Sequence, residues 1–318
     1  MDGAIKIKND MYYIMGMKIL SEIVLPGVSI DTDCYDVKIV YCKFDIVTEN
    51  VLEFRNYYYL NQTDFVCDIK KVAKFRVTGG CLIQIDLYEQ ADLELVAVYL
   101  LGTCMGALLM QRGMVTLHGS TIVMNGQSVI ITGRCGAGKS TLSTALRLRG
   151  NSILSDDISP VIIHDNEVMS VPAYPKQRIC EDTAIMMGID TGILVRACSE
   201  DFKYNVDVSK EFVKHPVKLF GIIEIVPEEV EDVTLTELKS SEKLELIRSN
   251  IYCKEFYTQV DFQPSYFKKL LEIAGSIHTY RLIRPKGHFT VDRQIEIIMD
   301  EIKRITGGGK HEEWENEP

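Results

Sequence analysis

Residues 133–140 read Gly133-Arg134-Cys135-Gly136-Ala137-Gly138-Lys139-Ser140, which fits G-x-x-x-x-G-K-[ST] at every position. Those residue types suit one task, holding phosphate. Glycines let successive backbone N–H groups turn toward a single point, and a helix that starts there adds its positive end. The Lys139 ammonium can then reach β- and γ-phosphates, and the Ser140 hydroxyl can enter a Mg²⁺ shell. With the following Thr141, these are the candidate nucleotide-binding residues.

Asp156 and Asp157 follow Lys139 by 17 and 18 positions. A strand, a phosphate loop, a helix and a next strand would bring such a pair to the carboxyl edge of a sheet, beside the phosphates. Phosphoryl transfer needs two carboxylate functions there, one to hold Mg²⁺ and one to orient or deprotonate the attacking hydroxyl. The opposing reading, a pair of solvated turn aspartates, is the default elsewhere in a chain, but not directly after an apolar strand and a phosphate loop. His118 precedes the loop by one hairpin; spacing alone leaves it open between a structural and an active-site histidine. In Pro172-Ala173-Tyr174-Pro175-Lys176-Gln177-Arg178 the prolines fix an extended segment that can present Lys176 and Arg178 to phosphate oxygens. Two surface cations on a proline-bounded loop remain the plain alternative. Lys214, His215 and Lys218 are weaker basic candidates.

The elements that must position these groups are legible nearby. Ser128-Val129-Ile130-Ile131-Thr132 is a short β-branched run and reads as a buried strand entering the loop; Leu142, Ala145, Leu146 and Leu148 recur at helical spacing before Gly150. Val115–Met124 and the turn Asn125-Gly126 predict the hairpin that returns into the loop strand. Ser152–Ser155 is a short strand ending in the aspartate pair, and Pro160–Ile163 is followed by a charged turn at 165–167. Further helices are expected at 242–248, 266–274 and 293–305. Upstream, a long helix is predicted from Asp92 to Gln111, ended by Gly113. Residues 18–23, 36–41, 72–77 and 81–86 read as strands bounded by turn signals such as Pro26-Gly27 and Gly79-Gly80, and Tyr57-Tyr58-Tyr59 as half-buried strand tyrosines. The domain reading is a β-rich front piece (1–91), an α/β nucleotide-binding core (92–305) and a flexible acidic tail (306–318).

Composition narrows the class. The chain has 318 residues, 46% of them hydrophobic, and a net charge of −10. That is enough apolar material for a sizeable core, and the acidic balance argues against nucleic acid or an anionic membrane as partner. The nine cysteines show neither C-x-x-C pairs nor histidine neighbours, so neither a disulfide frame nor a zinc site is indicated. The most apolar stretch, Leu95 to Met110, spans 16 residues, short against the ~20 of a membrane span, and reads as a buried helix. With no signal-like N-terminus, the expected location is the cytoplasm.

Taken together, Leu117-His118-Gly119-Ser120, the loop at 133–141, Leu154-Ser155-Asp156-Asp157 and Pro172-Ala173-Tyr174-Pro175 resemble the HPr kinase/phosphorylase-like proteins, whose nucleotide core is related to that of phosphoenolpyruvate carboxykinase. The resemblance is sharp over roughly 92–190 and looser elsewhere. It implies an α/β fold with a P-loop core of that type behind a small, mainly β N-terminal domain, and ATP and Mg²⁺ as cofactors. It also implies that Asp156 acts as base toward a serine hydroxyl, that Asp157 assists at the metal with Ser140, and that His118 lies in the active site with Lys139. Two departures stand out. Thr141 occupies a position where the bifunctional enzymes usually carry an acidic residue, and their later glycine-rich segment has no counterpart. The chain is in this respect more similar to the compact relatives found with peptide-modification systems.

The expected function is ATP-dependent phosphorylation of a serine in a peptide or protein. The alternatives are a kinase acting on free serine or another small molecule, and a non-catalytic ATP sensor. An ABC-type or GTPase motor is disfavoured, because neither an LSGGQ-like stretch nor an N-K-x-D motif is present. The relatives assemble into oligomers, so a homo-oligomer is a further expectation.

Overall fold

The computed structural model describes residues 9–46, 53–55, 58–61, 63–197, 202–256 and 264–306. Tyr57 and the acidic tail beyond Thr306 lie outside them. Strict alternation of apolar and polar residues, as in Ala73–Thr78 with Ala73, Phe75 and Val77 turned inward, builds the front of the chain. Its strands are β1 (Asp10–Ile14), β2 (Met17–Ser21), β3 (Val28–Ser29), β4 (Val37–Tyr41), β5 (Glu53–Arg55), β6 (Tyr58–Leu60), β7 (Asp64–Ile69), β8 (Ala73–Thr78) and β9 (Leu82–Leu87). They form one sheet in the order β3-β1-β2-β4-β9-β8-β7-β6-β5.

The expected long helix is present and carries one irregularity. α1 (Leu93–Tyr99) passes through a π-helical turn (Leu100–Cys104) into α2 (Met105–Gln111). Asp92 caps the start, its carboxylate accepting the Glu94 N–H at 2.9 Å. Gly106 is there because a Cβ would meet the Tyr252 ring at 2.9 Å and Cys253 Sγ at 3.0 Å. By length and composition the 19-residue run Leu93–Gln111 is apolar enough to cross a membrane, longer than the sequence estimate of 16. Here it serves as a core helix: Val96, Leu100, Cys104, Met105 and Leu108 belong to the cluster that also holds Phe65, Phe75 and Ile85 of the front sheet.

The remainder is built on long strands that change partners. The elements are β10 (Val115–Met124), β11 (Gln127–Thr132), α3 (Lys139–Leu148), β12 (Ser152–Ser155), β13 (Ile158–His164), β14 (Glu167–Ser170), β15 (Lys176–Cys180), α4 (Glu181–Met186), β16 (Val195–Arg196), β17 (Lys203–Asp207), β18 (Val217–Glu228), β19 (Thr234–Glu237), α5 (Ser241–Ser249), α6 (Pro264–Ser276), β20 (His278–Pro285) and α7 (Val291–Thr306). β10 pairs with β13 through Val115–His118 and with β11 through Gly119–Met124. The Asn125-Gly126 turn between β10 and β11 has φ of +50° and +74°, as its sequence predicts. β11, β18 and β20 run parallel side by side, while β15, β17 and β16 form a separate small sheet.

Alternation along these parallel strands serves two faces. Ile130 and Ile222 point into the cluster shared with the front sheet, whereas Val129, Ile131, Ile223 and Ile225 meet α3 and α7 through Leu142, Leu146, Ile295 and Ile298. The protein is thus a mixed α/β fold with large sheets, and α3 rests on the face beneath the site.

Candidate active site

β11 ends at Thr132 and the chain turns into α3 through three glycines of positive φ, Gly133 at +140°, Gly136 at +78° and Gly138 at +108°. At Gly133 the demand for glycine is double, since a Cβ would also lie 2.6 Å from the Ile225 carbonyl oxygen. Gly138 is the N-cap of α3, and no side chain caps the helix. The donors of its first turn are therefore left to solvent or to a ligand. Lys139 Nζ folds back on the turn, donating to Gly133 O at 2.8 Å and Arg134 O at 3.2 Å. Burial lowers its pKa, opposed by Cys135, Asp157 and Asp156 in that order of strength. Thr141, expected among the nucleotide-binding residues, has its hydroxyl bonded to Thr183 of α4 at 2.9 Å, so its side chain ties α4 to the turn.

The aspartate pair sits at the end of β12, which pairs with β10 on its other flank. Asp156 is buried. Its Oδ1 accepts from Ser120 Oγ at 2.5 Å and its Oδ2 from the Arg178 N–H at 2.8 Å. Burial outweighs both bonds and pushes the carboxyl from its ordinary 3.8 up to about 6. Asp157 adopts φ +69°, a conformation uncommon outside glycine but tolerated by aspartate. Its Oδ1 lies 3.2 Å from His118 Nδ1. Burial lowers the His118 pKa, with Asp157 pulling it back, and the ring stacks on Tyr252 at 6.0 Å between centroids.

The structure therefore brings together the residues singled out by sequence. Asp156, Asp157 and His118 converge, close enough to Lys139 for both carboxylates to act on its charge. A cleft of about 320 Å³ opens beside the aspartates. Ala97, Val98 and Leu101 of the long helix wall one side and Val206 of β17 another, while Lys176 and Arg178 are the cations of its lining. Lys176 is exposed and Arg178 half-buried, and Tyr174, which Arg178 hydrogen-bonds, is pushed up to about 12 chiefly by burial. Lys214, His215 and Lys218 are not part of this site. Lys218 opens β18 at the end opposite the turn and pairs with Glu167 at 2.5 Å.

Several contributors went unseen in the sequence. Thr132 Oγ1 lies 2.7 Å from the His118 carbonyl and 2.8 Å from Asn250 Oδ1, while Glu224 Oε2 accepts from Arg281 Nε at 3.1 Å. Arg284, at the end of β20, donates from Nε to Ala137 O at 2.9 Å. No local motif marks these residues; only the Arg284-Pro285-Lys286-Gly287 turn carries a composition that hints at anion binding.

No family model matches this chain, and no curated protein does either. Among solved structures the chain is similar to an HPr(Ser) kinase/phosphatase from Coxiella burnetii, with 16% identity, coverage of 60% of this chain and 99% of that one, and a TM-score of 0.35. An overlap that loose transfers no activity. What the site can do follows from its own groups. Among the described residues no three His, Cys, Asp or Glu side chains converge on a metal position. Mg²⁺ asks for less: it keeps several waters and takes one or two protein oxygens plus substrate phosphates, and the Ser140 hydroxyl and Asp157 carboxylate are donors of that kind.

Proposed function

We propose that this chain is an ATP-dependent kinase that passes the γ-phosphoryl group to a serine hydroxyl of a peptide or protein. In this reading its nucleotide core is of the HPr kinase/phosphoenolpyruvate carboxykinase type, behind a mainly β front domain. The observation that carries it is Asp156, a buried carboxylate with its pKa raised to about 6, lining a cleft at the same sheet edge as an uncapped glycine turn and Lys139. A base poised near neutrality accepts a hydroxyl proton with least penalty at working pH.

The roles follow from position. The turn amides and Lys139 hold the β- and γ-phosphates, for which Lys139 gives up the carbonyls of Gly133 and Arg134. Ser140 and Asp157 would hold Mg²⁺, which when bound neutralises charge on the β- and γ-oxygens. The acceptor enters through the cleft beside Lys176 and Arg178. Asp156 takes the proton of its hydroxyl as the oxygen attacks the γ-phosphorus, and the bond from that phosphorus to the ADP oxygen breaks. His118 steadies Asp157 through Nδ1. Ser120 and the Arg178 N–H fix the carboxylate plane, so little has to reorganise during transfer.

The test is intact-mass measurement after incubation with Mg-ATP and two acceptor pools, seryl peptides and free L-serine. A gain of one phosphoryl group on a peptide, lost with Asp156→Asn, is the expected result. Transfer to free serine alone would move the assignment to small-molecule kinases. Tight ATP binding with neither pool modified would leave a nucleotide sensor.

A further inference from the structure

We propose that the cleft beside Asp156 selects an extended acceptor peptide with an aliphatic residue next to the serine and a lysine or arginine three positions away, and that Glu94 reads the cation. This rests on the reading that Asp156 takes a seryl proton from that cleft.

The two walls of the cleft differ in kind. One is a single face of the long helix, because Glu94, Ala97, Val98 and Leu101 are spaced i, i+3, i+4 and i+7 and all line the cleft. The other is one face of the small sheet. Arg178, Asn205 and Val195 stand opposite one another in a row across β15, β17 and β16, and Lys176 faces Asp207 in the next row. Asp156 belongs to the sheet side, since the Arg178 N–H holds its carboxylate.

The helix wall has a direction. At Gly102, next after Leu101, a Cβ would lie 3.5 Å from the Tyr252 hydroxyl, and Tyr252 stacks on His118, the partner of Asp157. Buried Leu101 therefore marks the catalytic end and exposed Glu94 the mouth, with half-buried Ala97 and Val98 between. From Glu94 to Leu101 the helix rises about 10 Å, the reach of three residues of extended peptide at ~3.3 Å each. Alternate side chains of such a peptide point the same way. With the serine turned to Asp156 on the sheet side, its neighbour and the residue three away both turn to the helix. The first rests on Leu101 and Val98, and the second stands beside Glu94.

Charge decides what the second residue is. The Asp207 carboxylate accepts the Ser209 N–H at 2.9 Å and faces Lys176 in register, while Arg178 bonds Tyr174. The Glu94 carboxylate has no hydrogen-bond or ion-pair partner among the described residues; only its backbone N–H is engaged, by Asp92. A cationic side chain at the mouth gives that carboxylate a partner, and an acidic one is repelled by it. The small-residue step at Ala97 leaves room for an aliphatic side chain deeper in.

Initial rates of the full chain with Mg-ATP on synthetic seryl peptides test this. The peptides carry leucine or asparagine next to the serine, and lysine or glutamate three positions away, on either side of it. In one chain direction lysine is expected to exceed glutamate at least about fivefold in kcat/KM, through KM, and leucine to exceed asparagine. Glu94→Lys should reverse the order of lysine and glutamate, and Glu94→Gln should erase it. A role of Glu94 confined to the helix end would lower the Tm and leave that order as it was. Equal rates across the panel at either position, or an order that Glu94→Lys does not reverse, would overturn this inference and leave the seryl kinase reading standing. No transfer to any peptide would overturn both.

Discussion

Replacing Asp156 with asparagine should make the protein more stable above pH 6 while removing its activity. The carboxylate is 6% exposed, and its two oxygens face different partners, Ser120 Oγ and the Arg178 N–H. Asparagine satisfies both. Its Oδ1 can accept from Arg178, and its Nδ2 can donate to Ser120, whose hydrogen is free to turn away. What disappears is the penalty of a buried charge. Folding raises the carboxyl from 3.8 to about 6, and each pH unit of separation is worth about 1.4 kcal/mol, so the ionised group costs the fold about 3 kcal/mol. The sign follows from proton binding. Below pH 4 both states are protonated and the penalty is absent; it grows as pH rises toward 6, and above that it is constant. Thermal unfolding of wild type and Asp156→Asn from pH 4 to pH 8 should therefore diverge, the variant gaining about 2–4 °C per kcal/mol at the upper end. Parallel curves across that range, or a variant less stable at pH 8, would refute the buried-charge account.

Two further substitutions probe the turn. Gly133→Ala places a Cβ 2.6 Å from Ile225 O at a φ of +140°, so it should lower stability by at least 1–3 kcal/mol and abolish ATP binding by titration; a normal Tm with normal ATP affinity would contradict the strained-turn account. Lys139→Met keeps the apolar stem and removes the cation, and should leave the Tm within a few degrees while phosphotransfer falls on the order of 10³-fold. A variant retaining a tenth of wild-type rate would take Lys139 out of the chemistry.

Elements whose signals are local could be read from the sequence. The loop strand, the loop, α3 and the short strand before Asp156 each carry a pattern complete within ten residues, and each stands where its pattern places it. The Asn125-Gly126 hairpin is equally direct, because two left-handed residues in succession admit few sequences. β18 is different. Its 12 residues, Val217–Glu228, are apolar almost throughout because it is flanked on both edges and covered on both faces, so no alternation announces it. β3, β5 and β6 are only two or three residues long and gain their stability from neighbours brought by the sheet rather than from their own pattern. The π-helical turn at Leu100–Cys104 could not be foreseen from periodicity, since a single extra residue per turn leaves the apolar count unchanged. In the site, Asp156, Asp157 and Lys139 are legible because chemistry restricts their types, whereas the spacing of His118 leaves its role open and only the family resemblance singles it out. Ser120, Asn250, Glu224 and Arg281 are not legible, because their roles exist only as pairings across 36 or more positions in the chain for Ser120 with Asp156 and 57 for Glu224 with Arg281.

Those unforeseen pairings explain how a turn made of glycines can be held still. Thr132, Glu224 and Arg281 are direct neighbours in register across β11, β18 and β20, so they form one row at the last residue of β11, four residues before the ends of β18 and β20. Glu224 and Arg281 join along that row, and Asn250 bridges it to the hairpin, its Nδ2 3.4 Å from Glu224 Oε1 and its carbonyl accepting the His118 N–H at 2.8 Å. One residue thus registers the strand that bears His118 against the strand that enters the turn. Gly119 allows the closeness, since a Cβ there would lie 2.5 Å from Ile131 O. The turn can then be built from residues of minimal intrinsic order, because position is supplied from behind by groups that make no demand on the phosphate side.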